Sequence, residues 1–178
     1  MELRSWMYIM QENNKVISVN FNFIHIANMT NLHAKATTIR KTFSRETSVS
    51  VDIQADPETI WGLLTNAENY PTWNSTVISI DGNIALGEKI QLKSCLDPKR
   101  VFKLTVKEFV PEKKLVWGDA MGKREYSLTP ISNGQTNFSM VEKIGGPFFP
   151  LFAKMIPPFD ESFEKFAKDL KMEAEKNK

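Results

Sequence analysis

Near its C-terminus the chain reads FDESFEKFAKDLKMEAE, Phe159 to Glu175. Phe159, Phe163, Phe166, Ala167, Leu170 and Ala174 recur in steps of three and four, an apolar stripe along one side of a helix. The other side carries Glu161, Glu164, Lys165, Lys168, Asp169 and Lys171. Glu161–Lys165 and Glu164–Lys168 are spaced i,i+4 in the favourable order, each adding only about 0.2–0.5 kcal/mol. Upstream lie Gly145-Gly146-Pro147-Phe148-Phe149-Pro150-Leu151-Phe152 and Ile156-Pro157-Pro158, whose prolines forbid one straight helix. The pattern predicts a short helical piece, a break, then the main helix. Six of the twelve Phe fall between 148 and 166, so this helix needs a broad apolar surface to lie on.

Working back, residues 48–144 supply that surface. Val49, Val51 and Ile53 alternate with Ser50, Asp52 and Gln54, a half-buried strand. Asp56-Pro57 opens a helix with apolar positions Ile60, Trp61, Leu63 and Leu64, Asp as N-cap and Pro at the first helical position. Asn66 caps a second short turn, which Tyr70-Pro71 ends. Strands then follow at Thr76–Ile80, Lys89–Ser94, 102–107, around Leu115–Trp117, around Tyr126–Leu128 and around Phe138–Ile144. Asp81-Gly82, Asp97-Pro98, Pro111-Glu112, Asp119–Gly122 and Asn133-Gly134 punctuate them, the signature of an antiparallel meander. In the last hairpin a three-residue loop, Ser132-Asn133-Gly134, pairs Leu128 with Phe138, Tyr126 with Met140 and Arg124 with Glu142, which keeps one face apolar.

Residues 1–47 differ in character. They hold no Gly or Pro and both His, and carry a charge of +3 against −1 for the remainder. Val16–Ile26 alternates as a strand would. Two readings stay open: an accessory arm over 1–44, or a reading frame extended upstream of a true start such as Met29. The 45–178 portion is the candidate domain.

A net charge of +2 over 178 residues leaves no electrostatic footprint for nucleic acid. Cys95 is the sole cysteine, so no intrachain disulfide and no Cys/His zinc spacing exists. No apolar run reaches transmembrane length and no signal peptide is recognisable, so a cytoplasmic setting is expected. Nothing calls for a cofactor or a metal.

The order of elements and several local motifs resemble the START-like (SRPBCC) superfamily, most closely its polyketide cyclase/dehydrase type, over about residues 45–175. Val49–Pro57 resembles the family's first strand and helix start, and Trp61-x-Leu63-Leu64 its first-helix motif. Tyr70-Pro71-Thr72-Trp73 is similar to its Tyr-Pro-x-Trp motif, Gly82 and Gly87 to its turn glycines, and Pro111 through Leu115 and Trp117 to its Pro-x-x-x-Leu-x-Trp strand entry. The resemblance implies an α+β helix-grip fold: a curved seven-stranded antiparallel sheet around a long C-terminal helix, with two short helices after the first strand. It also implies a cavity between sheet and helix that holds a lipid, quinone or polyketide-like molecule, and transient membrane contact is compatible with such a ligand.

The inward faces derived above then name the candidate ligand contacts: Leu92, Phe102, Leu104, Val106, Trp117, Arg124, Tyr126, Leu128, Phe138 and Met140 from the strands. From the C-terminal side come Phe149, Phe152, Phe159, Phe163 and Phe166, the last three as the cavity floor and Phe148–Pro158 as its mouth. Tyr126 is the best candidate for a ligand hydrogen bond, because a buried phenol needs a partner. Arg124 and Glu142 form a cross-strand pair able to orient a polar group. Catalysis finds thin support: no His follows His33, and Glu108, Glu142 and Tyr126 are weak acid–base candidates. Three functions stay open: a non-catalytic carrier, a cyclase or dehydratase, and a protein-interaction module.

Overall fold

The computed structural model describes residues 8–12, 15–19, 34–132 and 134–176. The chain forms two compact units, Met1–Leu32 and His33–Lys178. In the first, β1 (Tyr8–Glu12) and β2 (Lys15–Val19) pair as an antiparallel hairpin. The strand expected over Val16–Ile26 is seen as far as Val19, and residues 20–26 lie outside the described ones.

The second unit begins with β3 (Thr37–Lys41) and β4 (Ser44–Ile53). Helix α1 (Pro57–Thr65), a short 3-10 turn (Ala67–Asn69) and α2 (Tyr70–Trp73) follow. Then come β5 (Val77–Asp81), β6 (Lys89–Ser94), β7 (Asp97–Val110), β8 (Lys114–Gly118), β9 (Gly122–Ser132) and β10 (Gln135–Gly145). A short helix α3 (Phe149–Phe152) and the long α4 (Asp160–Ala174) close the chain. The sheet is antiparallel throughout, in the order β3-β4-β10-β9-β8-β7-β6-β5. It curves around α4 without closing, as the helix-grip expectation required.

The sheet has eight strands rather than seven. The extra one, β3, is an edge strand whose side chains are exposed at all but one position, so it lacks the apolar alternation that marks a strand in sequence. Pro71 sits near the start of α2 instead of ending a helix, a place where its missing N–H costs nothing. Asp97-Pro98 does not break the chain either. Pro98 falls where the β6–β7 ladder slips between Leu92↔Phe102 and Ser94↔Asp97, and beyond the last β7–β8 pair, Thr105↔Gly118, so no ladder bond needs its N–H.

The β9–β10 register is Leu128↔Phe138, Tyr126↔Met140 and Arg124↔Glu142, as the apolar face demanded. The closing pair Ser132↔Gln135 is offset by one, and a bulge between Gln135 and Thr136 absorbs the difference. Gly134 has φ 70°, the left-handed conformation that such a turn requires.

The core is centred on Phe166. Its ring lies 5.7 Å from those of Trp73 and Tyr126, 6.2 Å from Phe138 and 6.4 Å from Tyr70. The polar side of α4 is tied down as well. Glu164 Oε1 accepts from the Ala36 N–H (3.0 Å), Asp160 Oδ1 from the Thr38 hydroxyl (2.9 Å), and Asp169 Oδ2 from the Ser75 N–H (2.8 Å). Lys171 Nζ donates to the Asp52 carbonyl (2.6 Å). Glu164 is therefore held by the backbone before β3 rather than by Lys168, whereas Glu161–Lys165 forms at 2.9 Å.

Candidate functional site

A pocket of about 380 Å³ lies between the β6–β9 part of the sheet and residues 152–162. Leu92, Phe102, Leu104 and Trp117 wall it from the strands. Phe152, Met155, Ile156, Pro157 and Phe159 wall it from the opposite side, and Ile144 closes the β10 end. Alternation places the strand residues inward, while Pro157-Pro158 separates α3 and the turn after it from α4, and Phe152 and Met155 of that segment line the pocket. Thr76, Ser94 and Ser162 add hydroxyls, and Asp97, Arg100, Asp119, Lys123, Arg124 and Glu142 add charges.

Of the residues singled out in sequence, Leu92, Phe102, Leu104, Trp117, Arg124, Glu142, Phe152 and Phe159 meet at this pocket. Val106, Tyr126, Leu128, Phe138, Met140, Phe149, Phe163 and Phe166 do not line it; all are buried in packed interior. Helix α4 settles directly onto the β4–β10–β9 half of the sheet, and its aromatic stripe fills that space instead of roofing a void. The expected floor of three phenylalanines thus reduces to Phe159, which stacks at 6.0 Å on Phe163 behind it.

Glu108 is not a cavity group. The β7–β8 ladder slips between Val106↔Trp117 and Glu108↔Val116, so Lys107 is the extra residue and the alternation inverts after it. Phe109 then turns inward against Trp61 (5.0 Å), and Glu108 pairs with Lys114 at 3.2 Å with 43% of its side chain exposed. Asp119 touches the pocket, but its Oδ1 accepts the Met121 and Gly122 N–H groups (2.7 and 3.0 Å) and closes the β8–β9 turn.

Arg124 and Glu142 form the pocket's most enclosed charged pair. Arg124 Nε donates to Glu142 Oε2 at 2.5 Å, its Nη2 reaches the same oxygen, and the two side chains retain 20% and 16% exposure. Glu142 Oε1 has no partner among the described residues, so one acceptor remains for a guest. The Arg124 guanidinium also lies 5.2 Å from the centre of the Phe163 ring. Burial disfavours its charge, but Glu142 and Tyr126 together outweigh this and hold its pKa above the ordinary arginine value. The Tyr126 hydroxyl is buried beside Arg124 without a well-formed hydrogen bond, and burial, opposed by Arg124, pushes the phenol up to about 12.

Arg45 escaped the sequence reading. It is buried, stacks 4.4 Å over Phe159 and donates from Nη1 to the Ile156 carbonyl (3.1 Å), fixing two pocket walls from behind. Burial, with Arg40 nearby, lowers its pKa, and Glu142 and Asp160 oppose the shift. Extending the alternation of Val49, Val51 and Ile53 back by two steps would have placed Thr47 and Arg45 on the inner face. Arg100 was missed because β7 was begun after Pro98; its guanidinium lies 4.7 Å over Phe102.

A family model described as "Polyketide cyclase / dehydrase and lipid transport" matches residues 44–175. No curated protein matches the chain in sequence. Solved structures are similar in fold. A conserved protein of unknown function from Enterococcus faecalis superposes with a TM-score of 0.59 at 17% identity, over 85% of this chain and 82% of that one. A START superfamily protein from Mycobacterium smegmatis gives 0.56 at 19% identity, over 75% and 99%. A protein from Rhodobacter sphaeroides gives 0.58 at 18%, over 78% and 96%. With three-quarters of its length under one family model and the same sheet-and-helix architecture in these structures, this chain belongs to the polyketide cyclase / dehydrase and lipid transport family, of START-like fold.

Proposed function

We propose that the protein binds a hydrophobic small molecule, of lipid, quinone or polyketide-like character, whose one polar group is a neutral hydroxyl or carbonyl. The observation that carries this reading is the pocket itself: about 380 Å³, walled mainly by apolar side chains, with a self-neutralised Arg124–Glu142 pair on its wall. A hydroxyl can donate to the open Glu142 Oε1 and accept from the guanidinium. Beside this pair a carboxylate would meet the Glu142 charge and lose its own hydration, while Arg124 is already neutralised by Glu142.

Turnover by cyclisation or dehydration has less support. Glu142 is already held by Arg124, Glu108 lies outside, and the Tyr126 phenol holds its proton well above neutral pH. The protein-interaction reading rests on no feature of the pocket.

The test is a titration with naphthol and with naphthoate, read by quenching of Trp117 on the pocket wall. Saturable binding of naphthol, at least tenfold tighter than naphthoate, is expected, and Leu104→Trp should abolish it. Tighter binding of naphthoate, or saturation by neither compound, would overturn the reading.

A further inference from the structure

Large apolar side chains are exposed where they serve no core. Phe148, Leu151 and Met155 keep 70%, 80% and 82% of their surface in water, on the segment whose Phe152 and Met155 wall the pocket. Two neighbouring loops add to them. The β3–β4 turn presents Phe43 (58% exposed) and the β8–β9 turn presents Met121 (39%). Hydrogen bonds bring the three loops together: Gly145 N–H donates to the Met121 carbonyl, and Gly146 N–H to the Phe43 carbonyl, both at 3.0 Å. Pro147-Phe148 follows directly, so Phe43, Met121 and Phe148 share one end of the molecule.

The charges at this end are unevenly signed. Lys107, Lys123 and Lys143 line the surface depression between these loops, with Asp119 its only acid. Lys41 adjoins the Phe43 turn and Lys154 stands between Leu151 and Met155, all five lysines being exposed. The Asp119 carboxylate is spent on the turn, and among the described residues only Lys123 of the five has an acidic partner, Glu125 at 3.6 Å. Apolar projections ringed by lysines fit neither a solvated surface nor a dry protein interface, whose centre is depleted in Lys. They fit the boundary of an anionic bilayer, where apolar groups enter the acyl edge and lysines meet the headgroups.

We propose that this end docks on an anionic membrane surface through Phe43, Met121, Phe148, Leu151 and Met155. Met155 belongs both to the exposed set and to the pocket wall, so docking sets the pocket mouth against the lipid. The inference does not depend on what the pocket holds.

The test is co-sedimentation of the full chain with vesicles of phosphatidylcholine alone and of phosphatidylcholine mixed with phosphatidylglycerol. Binding to the mixed vesicles only, weakened by added salt, is expected. Phe148→Ser/Leu151→Ser/Met155→Ser should abolish it, and Lys143→Gln and Lys154→Gln should each weaken it about fivefold. All are exposed positions, and unchanged circular dichroism will establish that the variants fold. Wild-type protein left in the supernatant with mixed vesicles, or equal binding by the triple variant, would overturn the proposal. So would a wild-type dimer that fails to bind vesicles and that the triple variant dissociates, since the patch would then be an interface between copies.

Discussion

Glu142→Leu removes the carboxylate that neutralises Arg124 on the pocket wall. The guanidinium then keeps its charge in a site with 20% exposure, without its hydrogen-bonded partner. Breaking a fully buried pair costs about 3–5 kcal/mol, and the residual exposure here scales that to about 2 kcal/mol. Arg124→Met leaves Glu142 in the same position and also removes the contact with Phe163, so it should cost about 2–3 kcal/mol. The double variant replaces both charges with apolar side chains in a largely apolar wall and should lie within about 1 kcal/mol of the parent. The coupling between the sites, the sum of the single costs less that of the double, is therefore about 4 kcal/mol. Urea unfolding of all four proteins measures it, provided the m-values agree. Added salt should change the coupling little, because a partly buried pair is weakly screened. Single variants costing under about 0.5 kcal/mol, or a double variant as unstable as the sum of its parts, would refute the view that this pair is internally neutralised.

Other outcomes follow from the core and the turns. Phe166→Ala should cost about 3–5 kcal/mol in urea unfolding, since its ring touches four others, whereas Phe159→Ala should cost less and mainly weaken probe binding. Gly118→Ala should destabilise by about 1–3 kcal/mol, because a Cβ would stand 2.2 Å from the Gly122 carbonyl oxygen and 2.8 Å from Lys123 Cα, both backbone atoms. Gly62→Ala, in α1 with open space around it, should instead stabilise by about 0.5–1 kcal/mol. Tyr126 holds its proton to about 12 in the fold while an unfolded tyrosine loses it near pH 10. Between those values the unfolded chain binds fewer protons, so its contribution, whole below about pH 10, is lost as pH rises, by about 2–3 kcal/mol. Tyr70 acts in the same sense, and phenolate absorbance followed against unfolding checks both.

The strands and the final helix were legible because their periods are sharp. Alternation at Val49–Ile53 and the three-and-four spacing from Phe159 to Ala174 allow only one face each. Pairing Leu128 with Phe138 is enough to set the last hairpin from sequence. What stayed hidden were departures from period. The bulge at Lys107 inverts β7, so counting in twos from Phe102 put Glu108 inside. Pro98 looked like a break because sequence does not reveal that the ladder slips there. The division of the interior was illegible for a different reason. Phe159, Phe163 and Phe166 share one helical stripe, and only the seating of α4 against Tyr126 and Phe138 decides that the first lines a pocket while the others fill a core. Arg45 hid because an arginine two steps before an apolar run reads as the strand's solvated start.

The central claim is that the space between Leu104, Trp117 and Phe159 is a binding site. Native mass spectrometry of the freshly purified full chain, beside a Leu104→Trp/Ser162→Trp variant that fills the space from both sides, tests it most directly. The account predicts a small-molecule adduct on the wild-type protein, released on denaturation, extractable into organic solvent and missing from the folded variant. An adduct of equal occupancy on both proteins, or none on the wild type even after incubation with a cell lipid extract, would contradict it.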